Sequence, residues 1–157
     1  MNGMTLIVKN ISTWVKILIF LFGIYITLFG HLTPGGGFAG GVILACSYVL
    51  LTLAFGRRAA DENLPLPLAS RLDCVGALLF WGIALTGLVY GAGGYFYNWL
   101  HREILASHDT AFHLVSAGTI PLSNVAIALK VAASLFMVFL VLAAFQTDTT
   151  RPAKGED

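Results

Sequence analysis

The chain has 157 residues, of which 57% are hydrophobic and only 11% are charged, and its formal net charge is +1. Its mean hydropathy of +0.82 is far above that of an ordinary soluble domain, so we predict an integral membrane protein. The near-neutral charge provides no basic surface, which argues against nucleic acid as a partner.

Four apolar segments predict four transmembrane helices within a single membrane domain, residues 1–157. The segments cover about 14–30, 35–55, 72–91 and 125–145, and the first follows Ser12 or Thr13 as an N-cap. At about 1.5 Å per residue, such segments cross a bilayer core. The first is too long for a signal-peptide core, and we expect residues 146–157 to form a polar, mobile tail. The predicted fold class is therefore an all-α integral membrane protein.

The most distinctive stretch, GHLTPGGGFAGGVILA at positions 30–45, lies between the first two spans. Pro34 suits the first position of the second helix, because the N–H that it lacks has no intrahelical partner there. The glycines that follow have the spacing that lets membrane helices approach backbone to backbone. They are Gly35, Gly36, Gly37, Gly40 and Gly41. Each glycine costs a helix about 1 kcal/mol relative to alanine, so we expect close packing to compensate.

The two other connections differ in character. Residues 56–71 contain three arginines and two prolines, which predicts a solvent-exposed loop. Residues 92–122 form a longer loop, and the aromatic residues at its beginning favour a short amphipathic helix over 95–105 at the membrane interface.

The basic residues indicate the orientation in the membrane. Seven lie on the side of the termini, and the opposite side has only Arg102, with Lys130 inside the fourth span. The seven are Lys9, Lys16, Arg57, Arg58, Arg71, Arg151 and Lys154. Because cytoplasmic segments carry the excess of Lys and Arg, we predict that both termini are cytoplasmic. The glycine-rich turn and the long loop between helices three and four then face outward.

The ordered His, Pro and Gly series in GHLTPGGGFAGG resembles the signature of the B subunit of Mrp-type multi-subunit sodium/proton antiporters, which carry a GH…PGGGF.GG pattern between their first two membrane helices. Length and four-span layout are also similar. The resemblance implies a non-catalytic membrane subunit of a cation/proton antiporter module in the cell membrane. Its partners would be other membrane subunits, the lipid bilayer, and sodium ions and protons.

A second segment, SAGTIPLSNVAIALKVAASL at 116–135, differs from the dedicated antiporter B subunits. It resembles the B-like subunits of membrane-bound hydrogenase and related respiratory complexes with an Mrp-like module. The alternative is therefore a scaffold or coupling subunit of a redox complex that transports nothing itself.

Apart from Lys16 at the start of the first span, Lys130 is the only basic residue inside a predicted span, and an intramembrane charge is by default a functional candidate. An ion-path or inter-subunit role competes with snorkelling, in which the side chain leans toward the outer interface. His31, at the end of the first span, is the second ion-path candidate, because imidazole titrates near neutral pH. The alternative for His31 is a C-terminal cap of the first helix.

The remaining polar residues suggest structural roles. The Asp73 carboxylate lies near the N-terminus of the third helix, where the helix dipole stabilises a negative charge. Cys46 and Cys74 are expected to be small buried hydrophobic residues. We predict no metal site and no cofactor. The histidines outside the glycine-rich turn are assigned no role; they are His101, His108 and His113, the last two with Asp109 in an HDTAFH loop cluster. No nucleophile with a base, phosphate-binding glycine motif or haem or iron–sulfur spacing is present, which argues against an enzyme.

Overall fold

A computed structural model of the chain describes residues 4–32, 34–90, 94–101 and 117–148. Within these residues, the elements longer than one turn are all helices. They are α1 (Leu6–Leu28), α2 (Gly36–Phe55), α3 (Arg57–Asn63), α4 (Leu66–Tyr90) and α5 (Ile120–Asp148). Four of the five, all except α3, are long and apolar enough to cross a membrane. The prediction of an all-α protein with four spans is confirmed.

The four long helices pack in a row rather than around one central axis. Helix α1 packs against α2, α2 against α5, and α5 against α4, whereas α1 makes only a minor contact with α5. The chain passes back and forth, so α1 and α2 are antiparallel, as are α4 and α5. Much of the apolar surface of α1 and α4 consequently remains exposed in the isolated chain. We call the end of the row that carries residues 29–35 the turn end.

Three helices begin earlier than the sequence predicts. Helix α1 begins at Leu6, and Thr13 lies inside it, where its hydroxyl donates to the Lys9 carbonyl at 3.0 Å instead of capping a helix. Helices α4 and α5 begin at Leu66 and Ile120. Each has a proline in its first turn, where the missing N–H does no harm. The polar residues that suggested loops are thus within helices.

The polar segment 56–71 is also largely helical. Helix α3 occupies Arg57–Asn63, and its Ala60 is fully buried in a small cluster with Ala69, Phe136 and Leu140. This cluster packs α3 against α4 and α5 at the end of the row opposite the turn end. The loop predicted for this segment is therefore wrong, because alanines within it give the short helix an apolar face.

The helix predicted over 95–105 is not formed over its first four residues. Residues 95 and 96 form a turn, in which Phe96 has a φ of 57°, and helical geometry begins only at Trp99. Residues 102–105 and the tail beyond 148 lie outside the described residues.

Candidate functional site

The main polar cluster within the described spans joins α4 to α5. The Lys130 ammonium donates to Asp73 Oδ1 at 2.8 Å, and Ser134 Oγ donates to the same oxygen at 2.5 Å. A single carboxylate oxygen therefore accepts from a cation and from a hydroxyl one turn further along α5. We call these three residues the lysine–aspartate site.

The lysine–aspartate site lies deep inside the apolar helices. The two spans that form it are Leu66–Tyr90 and Ile120–Ala144. At about 1.5 Å per residue, Ser134 is about 21 Å from one end of its span and about 15 Å from the other. Asp73 is about 10 Å from the nearer end of its own span. A lone charge in the centre of a membrane helix costs about 2.5–3.5 kcal/mol on insertion scales, so each residue of the pair compensates the other.

The direction of the Lys130 side chain argues against snorkelling. Helical side chains lean toward the helix N-terminus, which for α5 is the turn end, so a snorkelling lysine would extend toward Ile120. The Lys130 ammonium instead shares its acceptor with Ser134, one turn toward the helix C-terminus. The side chain therefore points into the membrane interior.

Asp73 does not have the role expected from the sequence. Because α4 begins at Leu66, Asp73 lies beyond the first turn, outside the reach of the helix N-terminus. Gly76 brings it to its partners: a Cβ at Gly76 would lie 2.8 Å from the Lys130 backbone nitrogen and 2.9 Å from the Ala126 carbonyl oxygen. The absence of a side chain there allows the two backbones to approach, which brings Asp73 within reach of Lys130.

The glycine-rich turn reverses the chain in very little space. Gly35 and Gly36 have φ angles of 115° and 56°, which side chains disfavour. A Cβ at Gly30 would lie 2.7 Å from the Gly36 Cα, so the two arms of the turn nearly touch. Pro34 lies in the turn, two residues before the start of α2 at Gly36. The expectation that it occupies the first helical position is therefore wrong.

The glycines of α2 face two different helices of the same chain. Gly40 is buried against Thr27 of α1, and Gly37 is buried against the backbone of Asn124 at the start of α5. Gly41 meets α5 one turn further on, where a Cβ would lie 2.8 Å from the Ala128 carbonyl oxygen. This small-residue surface thus joins α1, α2 and α5 within the chain.

A second polar cluster lies beneath the turn. Both ring nitrogens of His31 and the side-chain nitrogen of Asn124 are buried and have no hydrogen-bond partner among the described residues. Asn124 as a residue is only 9% exposed. Its amide lies against the turn, since a Cβ at Gly30 would be 2.9 Å from the Asn124 nitrogen. Capping of α1 by the His31 side chain is therefore not observed.

The other candidates from the sequence remain separate. Cys46 and Cys74 are free and exposed on the isolated chain, so the expectation that they are buried is wrong.

Lys16 lies inside α1, with its ammonium 4.9 Å from the centre of the Tyr48 ring, so Lys130 is not the only basic residue inside a span. Among the described residues, no group of His, Cys, Asp and Glu has the arrangement of a metal site. His108, Asp109 and His113 lie outside the described residues.

The sequence interpretation missed Asn98, which anchors the segment before α5. Its side-chain oxygen accepts from the Thr119 and His101 backbone nitrogens at 2.9 and 3.2 Å, and its side-chain nitrogen donates to the Ala117 carbonyl at 2.8 Å. These contacts tie the segment after α4 to the start of α5. An asparagine among aromatic residues gave no pattern from which this could be predicted.

Comparisons with known proteins identify related chains. Residues 7–137 match the family described as a domain related to the MnhB subunit of Na⁺/H⁺ antiporters. An uncharacterized protein of Methanocaldococcus jannaschii is 31% identical over 157 residues, 98% of this chain and 58% of its own length. A putative antiporter subunit mnhB2 of Staphylococcus haemolyticus is 27% identical over 136 residues, 87% of this chain and 92% of its own.

A solved structure has the same fold. It is a chain of the membrane-bound sulfane sulfur reductase, an archaeal respiratory membrane complex, with a TM-score of 0.70 and 28% sequence identity over 91% of this chain. The match covers 59% of that chain, and the Methanocaldococcus protein is likewise longer than the region matched. The present chain therefore spans less than two thirds of both of these relatives.

Proposed function

Because the chain belongs to the MnhB family of Na⁺/H⁺ antiporter subunits, we propose that it is a non-catalytic membrane subunit of a multi-subunit cation/proton antiporter module. The observation that carries a direct role in translocation is the lysine–aspartate site. It provides a charged, exchangeable group in the interior of two apolar helices.

A pair of this kind suits ion coupling for a physical reason. Titratable groups inside a membrane are expensive, and they are typical of ion pathways and proton relays. The Asp73 carboxylate can accept a proton or a cation, and Lys130 provides a positive charge beside it. A change in the charge of one partner alters the free energy of placing a charge on the other, because the electrostatic interaction between them is weakly screened at this depth.

His31 is the second residue that we assign to translocation. Its ring nitrogens are buried without a partner among the described residues, so neither is committed to a structural hydrogen bond. A neutral imidazole can donate from one nitrogen and accept at the other. At the turn end, His31 would pass protons between the exterior and the polar groups beneath the turn.

The remaining features define the setting of the subunit. We assign it to the cell membrane with both termini cytoplasmic, on the basis of the uneven distribution of Lys and Arg. Its partners are other membrane subunits of the complex, because the row of helices leaves much apolar surface of α1 and α4 exposed. Sodium ions and protons are the proposed transported species.

The alternative is a scaffold or coupling subunit of a redox complex. The observation in its favour is the shared fold with a chain of a respiratory membrane complex. In that role, the subunit would join a redox arm to the ion-moving module. The two functions differ in one requirement: transport needs the polarity of Lys130 and Asp73, whereas a scaffold needs mainly their shape.

Three variants of the purified complex separate these functions. Lys130→Met and Asp73→Leu each remove one charge and keep a side chain of similar size, and the third variant combines both. Each single change leaves one charge of this chain without its intrachain partner, so both assembly and transport should fall. The double change removes both charges of this chain, so assembly should recover above the level of Lys130→Met.

Sodium-dependent proton movement in vesicles decides between the two functions. We expect the double variant to assemble and still to lack transport. Lys16→Met is the matched control, because it removes a lysine from inside α1, outside the lysine–aspartate site, and should retain transport. If the double variant assembles and transports as the wild type does, the pair has only a structural role, and the scaffold function replaces the transport function.

A further inference from the structure

The lysine–aspartate site is only half enclosed by this chain. The Lys130 side chain is 47% exposed and the Asp73 side chain 24% exposed. A lysine ammonium has three N–H donors, and Asp73 is its one partner among the described residues. The remaining donors therefore face outward from the row of helices.

The surroundings at this depth offer no solvent for these donors. The ammonium lies between Ser134, about 15 Å from the nearer end of its span, and Asp73, about 10 Å from the nearer end of its own. It is directed away from the turn end, so it cannot reach the headgroups there. Hydrocarbon supplies no acceptor, and an unsatisfied polar group in it costs several kcal/mol.

The arrangement of the helices leaves room for a covering element. Among the long helices, α4 packs extensively on α5 alone, and the junction of these two helices opens on a broad face of the row. A protein segment that lies against such a face within a bilayer must pair its backbone internally, as a helix does.

The unused donors of the ammonium indicate what that helix carries. Asp73 Oδ1 accepts from both Lys130 and Ser134, whereas the Lys130 ammonium donates to one acceptor among the described residues. A carboxylate complements the outward side of Lys130 in charge and in hydrogen bonding. With Asp73, it would give a carboxylate–ammonium–carboxylate arrangement of net charge −1, which one proton or one monovalent cation neutralises.

We propose that the α4–α5 junction is an inter-subunit surface, covered by a membrane helix of another subunit that presents an Asp or Glu side chain to Lys130. This inference rests on the proposed function, since it requires that the chain works within a membrane complex. It identifies the face by which the chain binds and the chemistry of the group opposite Lys130.

Carbodiimide cross-linking of the complex tests the proposal. A membrane-permeant carbodiimide activates a carboxylate, and an amine in contact with it then forms an amide, with the activating group leaving as a urea. The complex is purified gently through a tag on this chain, treated, digested and analysed by mass spectrometry. The same preparation identifies every subunit that co-purifies.

We expect an amide between Lys130 and an Asp or Glu in a membrane helix of a different subunit. It should be lost in Lys130→Arg, which keeps the positive charge but has no amine that couples. In the fraction of complex that assembles, Asp73→Asn should retain the inter-subunit amide, because it removes only the intrachain competitor. Lys16 is the internal control and should give no inter-subunit amide.

The outcomes separate this inference from the proposed function. If antiporter-type subunits co-purify and Lys130 forms an amide only with Asp73, or forms none in wild type and Asp73→Asn, the inter-subunit surface is refuted and the proposed function stands. If the chain elutes with no other subunit, both are refuted.

Discussion

The contact between α1 and α2 provides a sharp test of the packing. Gly40 is buried in α2, and a Cβ at this position would overlap Thr27 Oγ1 of α1. It would also lie 3.0 Å from the Thr27 backbone nitrogen and 3.2 Å from the Gly23 carbonyl oxygen. Two of these three atoms belong to the backbone, so they cannot move without displacing α1.

The effect of Gly40→Ala is the balance of two opposing contributions. Alanine favours the helix by about 1 kcal/mol over glycine. Against this, overpacking costs about 1–3 kcal/mol. The Thr27 hydroxyl, which donates to the Gly23 carbonyl at 2.8 Å, is also displaced, at a further cost of about 1 kcal/mol. We expect a net destabilisation of about 1–3 kcal/mol, and a larger one for Gly40→Leu.

Gly82 is the matched control, because a Cβ there meets nothing within 4 Å and it also lies within a span. Gly82→Ala should therefore leave stability unchanged or raise it by up to about 1 kcal/mol. The measurement is reversible unfolding of the detergent-solubilised chain, with thermal stability as a second readout. Equal stabilities of Gly40→Ala and Gly82→Ala would refute the close contact between α1 and α2.

Two further predictions concern polar anchors. Asn98→Ala removes three contacts to the residues around Thr119 and Ala117, so we expect a loss of about 1–3 kcal/mol and faster hydrogen exchange at the start of α5. Unchanged exchange there would contradict the anchoring role, and Asn63→Ala, whose single bond is exposed, is the control. Ser134→Ala removes one of two donors to Asp73, so transport by the complex should weaken without being abolished. Transport equal to that of the wild type would show that Ser134 has no part in the site.

The outline of this protein follows from local properties of its sequence. The length and apolarity of a segment decide whether it spans a membrane, and both are read without knowledge of its neighbours. The prediction of four spans is confirmed, and the family resemblance carried by the turn agrees with the match over residues 7–137. The helix ends were harder to predict from the sequence, because Thr13 and the prolines in the first turns of α4 and α5 are compatible with a helix that extends beyond the apolar segment.

The site depended on information that is not local. Lys130 was recognised as a candidate because a charge among apolar residues is conspicuous in any sequence. Its partner Asp73 lies 57 residues away, and it was assigned to a helix N-terminus because that explanation needed only its own segment. Likewise, nothing in the sequence placed Asn124 beneath the glycine-rich turn.

The sequence by itself therefore determined that this is a four-span membrane protein with a tight glycine-rich turn, since hydrophobicity and backbone freedom act within each segment. The tertiary structure alone decided which helices pack together and in which register. That register depends on where glycines let two backbones meet, as Gly76 does at α5 and Gly40 does at α1. This register brings an isolated lysine and a distant aspartate into one site, because displacing one helix by a single turn would shift one residue by about 5.4 Å relative to the other.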